Sequence, residues 1–173
     1  VGVGRIGGGA AEQAKKFGMD VIATRRSREP HPAVAEMHGP DALHALLPRA
    51  DFVLLDLAPA PDTKFVMAQR EFWLIKRGSA FINMSRGGLV DLNALPYCLR
   101  EGHLSGALVD VTLPEPLPSD SPIWDTPNLI VLPHVSCDEL RYVEHLFDFW
   151  FENLARFRAG RKLVNLVDRK LGY

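Results

Sequence analysis

The sequence predicts an α/β fold: a doubly wound parallel sheet with helices on both faces, followed by a C-terminal helix and tail. Three observations predict it. Short, uniformly apolar runs alternate with stretches of helical periodicity, the order of parallel βαβ units. A glycine-rich turn, GVGRIG at 2–7, opens the first helical stretch. Polar and titratable residues collect at or just past the carboxyl ends of the apolar runs, the edge at which open α/β sheets bind ligands.

Composition fits that class. The 173 residues are 47% hydrophobic and 24% charged, enough for one sizeable core and short for two. With 20 Lys and Arg against 21 Asp and Glu, no charge excess draws nucleic acid or an anionic membrane. Cys98 and Cys137 form no disulfide framework, which fits a reducing compartment or a protein that needs no disulfides, and a cytoplasmic location is expected. No apolar run approaches the ~20 residues of a membrane span, and no signal peptide opens the chain. Val1 already stands inside the glycine motif, so the chain reads as N-terminally truncated.

The elements follow in order. RIGGGAAEQAKKFG (5–18) is expected to be the first helix and DVIAT (20–24) the strand after it. DALHALLPRA (41–50) reads as a helix and DFVLLDL (51–57) as a strand; MAQREFWLIK (67–76) and SAFINM (79–84) repeat the pair. LNALPYCLREG (92–102) is helical, although Pro96 weakens its first half, and GALVDV (106–111) and NLIVLP (128–133) complete the strands. These runs are apolar on both faces, as strands covered on both sides should be. DELRYVEHLFDFWFENLARFRAG (138–160) aligns Leu140, Val143, Phe147, Trp150, Phe151 and Leu154 into one apolar face, expected to pack into a core or a partner subunit. The tail RKLVNLVDRKLGY (161–173) shows no regular pattern. The domain division is expected at 1–137 and 138–173.

GVGRIG matches G-x-G-x-x-G, a weak signal alone and a stronger one before a helix and a strand. Gly2 allows the tight turn, Gly4 admits a pyrophosphate, and Gly7 permits close helix–strand packing; Arg5 and Ile6 complete the candidate cradle at the helix N-terminus. A carboxylate at the end of the next strand would hydrogen-bond the ribose of NAD. Arg25 stands there instead, followed by Arg26 and Ser27. Guanidinium groups bind a 2′-phosphate through charge-assisted bonds, so the trio favours NADP(H), with NAD left possible.

Four segments sit at strand ends: LAPAPDT (57–63), NMSRGGLVD (83–91), GALVDVTLPEPLP (106–118) and DTPNLIVLPHVS (125–136). In their order and wording, above all SRGGLVD, DVTLPEPLP and NLIVLPH, the chain resembles the D-isomer-specific 2-hydroxyacid dehydrogenases along essentially its whole length. The resemblance implies a Rossmann-type domain, with the helix and tail of 138–173 packing on or completing a mostly absent substrate domain. It implies Arg86 as the holder of the substrate carboxylate and carbonyl, His134 as the acid–base, and Glu115 as its carboxylate partner. Asp110 would face the nicotinamide carboxamide, and Leu57, Met84 and Ser85 would line the cofactor. The chemistry supports such roles: hydride delivery to a keto acid builds negative charge on the carbonyl oxygen, which a proton donor and a guanidinium stabilise.

The arginine pair and the ending VDRKLGY look most like the glyoxylate/hydroxypyruvate reductase branch, implying a small 2-keto or 2-hydroxy acid as substrate and a homodimer. Ala58 and Ala60 depart from the family's usual Pro and Thr. Two other classes stay open: a non-catalytic, corepressor-like cofactor sensor, and an inactive folded fragment. His134 and Cys137 are spaced as metal ligands but lack a second pair, so no metal is expected.

Overall fold

A computed structural model describes residues 1–169; the last four residues of the tail singled out above lie outside them. The described residues form two compact units, one spanning Val1–His134 and one beginning at Val135.

In the first unit, helix α1 (Arg5–Lys16) follows the glycine turn. It buries the small residues Gly7, Gly8 and Ala11, Gly7 close against the Gly2 backbone and Gly8 against the His31 ring. Strands β1 (Ile22–Thr24) and β2 (Glu36–His38) then pair in parallel. The sequence reading missed β2, because EMH is only three residues long, too short for an apolar run or an alternation to mark a strand. The helix expected at 41–50 is broken: only α2 (Leu43–Leu46) is α-helical, flanked by 3₁₀ turns at Pro40–Ala42 and Leu47–Arg49. Pro40 opens the first of those turns, and Pro48, inside the second, lacks the N–H that would continue α2.

Strands β3 (Phe52–Leu55), β4 (Ala80–Asn83), β5 (Gly106–Val109) and β6 (Leu129–Val131) form a second, all-parallel sheet in sequential order. Helix α3 (Gln69–Leu74) connects β3 to β4, and α4 (Leu95–Arg100) connects β4 to β5. Pro96 is tolerated in the first turn of α4, where its missing donor is an orphan anyway, and the helix simply starts later than expected. The core lies here: Leu55, Met67, Phe72, Phe81, Leu95, Cys98 and Val109 are all fully buried. Phe72 meets Phe81 edge-on with ring centroids 5.0 Å apart.

Val1 and Gly2 link the two sheets. The Gly2 N–H donates to Thr24 O at 3.1 Å, and the Asp56 N–H donates to Val1 O at 2.8 Å. The Val1 nitrogen donates to Leu54 O at 2.5 Å. The order across the unit is therefore β2, β1, Val1–Gly2, β3, β4, β5, β6, and the winding reverses at the link. That reversal is the topological switch point of a doubly wound fold. Beside the link, a cavity of about 680 Å³ opens between β1 and β3, walled by Ala14, Ile22, Leu43, Leu47 and Val53 among others.

The second unit contains helix α5 (Tyr142–Arg158). None of its residues is buried, so the apolar face stays exposed, with Phe147 and Trp150 both in contact with the Phe151 ring. No helix among the described residues is long and apolar enough to cross a membrane.

Candidate active site

The glycine turn is shaped for close approach. A Cβ at Gly2, whose φ is +89°, would fall 2.0 Å from Asp56 O, and one at Gly7 would fall 2.4 Å from Gly2 O. At Gly4 the same atom would meet nothing within 4 Å. The turn is thus packed from behind and open in front. Gly4 caps α1 in extended conformation with no side-chain hydrogen bond, and no acidic residue occupies the first turn. The first N–H groups of the helix and its positive dipole end therefore face an open approach, a fit to a pyrophosphate. Arg5 and Ile6 are exposed on that first turn, and the Leu57 side chain lies against Gly2. Asp56, half-buried, accepts from the Gly7 N–H; burial pushes its carboxyl above the ordinary range, and the bond from Gly7 opposes the rise.

Arg25 begins where β1 ends, its N–H donating to His38 O at 2.8 Å. The chain then turns: the Arg28 N–H donates back to Arg25 O, and Arg28 takes a left-handed φ of 56°. Each arginine here has a carboxylate. Arg25 pairs with Glu29 at 3.0 Å, Arg26 with Asp62 at 2.9 Å, and Arg28 with Asp41 at 2.8 Å. Ser27 Oγ donates to Glu29 Oε2 at 3.2 Å. Sequence reasoning passed over Glu29 and Asp62; the i, i+4 spacing of Arg25 and Glu29 was the available signal.

The other predicted residues stand at the ends of three adjacent strands. After β4, Met84 and Arg86 are exposed, whereas Ser85 is buried and its hydroxyl donates to Asn83 Oδ1 at 2.9 Å. Asn83, also missed, shapes this loop. It accepts from the Ser85 N–H at 3.1 Å and donates to Arg86 O at 3.2 Å while fully buried. A polar residue closing an apolar strand was its signal. The Arg86 guanidinium donates to Ser85 O at 2.6 Å. A Cβ at Gly87 would lie 2.0 Å from Thr112 O, so this position must be glycine for the Arg86 loop to press on the loop after β5.

Asp110, at the end of β5, is buried; its N–H donates to Asn83 O and its carbonyl accepts from the His134 N–H, both at 2.9 Å. His134 itself sits in the left-handed region at φ 59°, a conformation that positions a side chain at backbone expense. Its Nδ1 meets Glu115 Oε1 at 2.5 Å, with both side chains partly open to solvent. An imidazole held through Nδ1 presents Nε2 to an incoming group, the arrangement of an oriented acid–base. Among the described residues, no three His, Cys, Asp or Glu side chains converge as metal ligands.

Comparison with known proteins adds a family. Residues 1–136 match the NAD binding domain of the D-isomer specific 2-hydroxyacid dehydrogenases. The glyoxylate reductase of Korarchaeum cryptofilum is 32% identical over 173 residues, covering 99% of this chain and 52% of that protein. Glyoxylate/hydroxypyruvate reductase B of Escherichia fergusonii is 38% identical over 146 residues, covering 82% and 45%. The chain spans about half the length of the curated relatives it matches. Among solved structures, an NADPH-dependent glyoxylate/hydroxypyruvate reductase from Sinorhizobium meliloti, in complex with NADP and sulfate, superposes with a TM-score of 0.92. It is 35% identical, over 99% of this chain and 55% of that one. A D-isomer specific 2-hydroxyacid dehydrogenase from Xanthobacter autotrophicus Py2, in complex with NADPH and MES, gives 0.91 at 34% identity, over 99% and 70%.

Proposed function

The chain belongs to the D-isomer specific 2-hydroxyacid dehydrogenase family, and from that premise we propose that it serves an NADP(H)-preferring reductase of small 2-keto acids of the glyoxylate or hydroxypyruvate kind. The observation that carries the reading is the Glu115–His134 pair, held at the carboxyl edge of the sheet in the same unit as the open glycine turn. The names of the relatives support the substrate class. The bound cofactors of the solved neighbours support NADP(H).

Gly2, Gly4 and Gly7, with the N–H groups around Arg5 and Ile6, would hold the pyrophosphate, and Arg25, Arg26 and Ser27 the 2′-phosphate. Leu57, Met84 and Asp110 would border the nicotinamide half, with Ser85 acting through Asn83 on the shape of that loop. When bound, the reduced nicotinamide supplies the hydride. Arg86 pairs with the substrate carboxylate and draws charge from the carbonyl oxygen. His134 gives its Nε2 proton to that oxygen, and Glu115 keeps the ring oriented and compensates its charge. In the oxidative direction the same proton returns to His134. We place the protein in the cytoplasm as a homodimer.

The test is a fluorescence titration with NADPH and NADH in parallel. NADPH is expected to bind at least tenfold tighter, about 1.4 kcal/mol, and Arg25→Asp to remove the preference. Equal binding of the two cofactors would reduce the arginines to surface charges.

A further inference from the structure

Glu29 is the feature of the proposed cofactor site that the reading above leaves unused. One oxygen, Oε2, lies 3.0 Å from the Arg25 guanidinium and 3.2 Å from Ser27 Oγ. Two of the three groups assigned to a 2′-phosphate thus already converge on a single anionic oxygen. The turn makes this happen: the bond from the Arg28 N–H to Arg25 O and the left-handed Arg28 fold the backbone back, and the Glu29 N–H is anchored on Ser27 Oγ at 3.4 Å. The Glu29 side chain is 67% exposed, so nothing packs it in place.

Resting on the reading of residues 25–27 as the adenosine-ribose subsite, we propose that Glu29 determines cofactor specificity by working in two positions. With NADPH it leaves, and the 2′-phosphate takes over Arg25 and Ser27. With NADH it stays, and its carboxylate accepts hydrogen bonds from the ribose hydroxyls. A strand ending in arginine has no carboxylate of its own for that diol; a glutamate four residues on, steered by the same arginine, restores one. The exchange with phosphate is easy because an exposed ion pair is weakly held, while a doubly charged phosphate makes stronger charge-assisted bonds to the same donors. NADH gives Glu29 no reason to leave.

The experiment is a parallel titration of the chain with NADPH and NADH, as wild type, as Glu29→Gln and as Asp41→Asn. Asp41 pairs with Arg28 in the same turn and controls for the loss of one negative charge. Glu29→Gln is expected to tighten NADPH and weaken NADH, each about threefold or more, widening their ratio about tenfold. Asp41→Asn should leave that ratio within twofold of wild type. A structural role for Glu29 would move both cofactors the same way. A shift in one direction for both, a shift confined to one cofactor, or an equal change in Asp41→Asn overturns the proposal. Wild type that binds NADPH no tighter than NADH, with Arg25→Asp without effect, overturns the underlying clamp instead.

Discussion

Gly7 is closely walled on the helix side of the glycine turn, since any Cβ there would meet Gly2 O and the Asp56 carboxylate at 2.4 and 2.7 Å. Both neighbours are constrained, so the helix must shift. Gly7→Ala is expected to lower stability by about 1–3 kcal/mol, the usual scale of overpacking, and to weaken NADPH binding further than stability alone accounts for. Thermal melts with and without cofactor separate the two effects, because a ligand selective for the native state raises Tm. Gly4→Ala, with open space around its Cβ, should retain the fold and lose affinity. The cysteines also diverge. Burial pushes the Cys98 thiol up to about 11, whereas Cys137 is exposed. A thiol reagent at neutral pH should label one cysteine per native chain and two after denaturation.

At the scale of elements, Glu36 on β2 is held by Arg49, beyond α2, and secondarily by His38; together they bring its carboxyl down to about 2. A depressed carboxylate stabilises fully above its ordinary pKa near 4.5 and loses that contribution as pH falls toward 2. The Tm advantage of wild type over Glu36→Gln should therefore be constant above pH 5 and vanish as acid titrates the group. This pair also shows what the sequence withholds. Strands β3 to β6 were legible because each is a compact apolar run between turns, and α1 because glycines and a helical period meet. β2 was illegible: Glu36 and His38 are strand residues only because β1 lies alongside and Arg49 satisfies the carboxylate. The helix at 41–50 failed for a local reason, Pro48, whose effect the periodicity concealed. At the site, residue types at strand ends were readable, but the pairing of Asp62 with Arg26 depends on two loops meeting in space.

The whole first unit divides unevenly about its link. Four strands and nearly all the large buried side chains lie on one side, with Arg86, Asp110, Glu115 and His134. Two three-residue strands and the Arg25–Glu29 turn lie on the other. Between them run the few backbone bonds of Val1 and Gly2, beside the cavity. Hydrogen exchange should register the imbalance, with the amides of β1 and β2 exchanging faster than those of β3 to β5. A dinucleotide laid across the switch point would touch both sides at once, its adenosine on the weaker and its nicotinamide on the stronger. It would act there as a rivet. Adding NADPH should then slow exchange most in β1 and β2, far from the atoms that react, so that the less stable leaf of the sheet reports occupancy of the site.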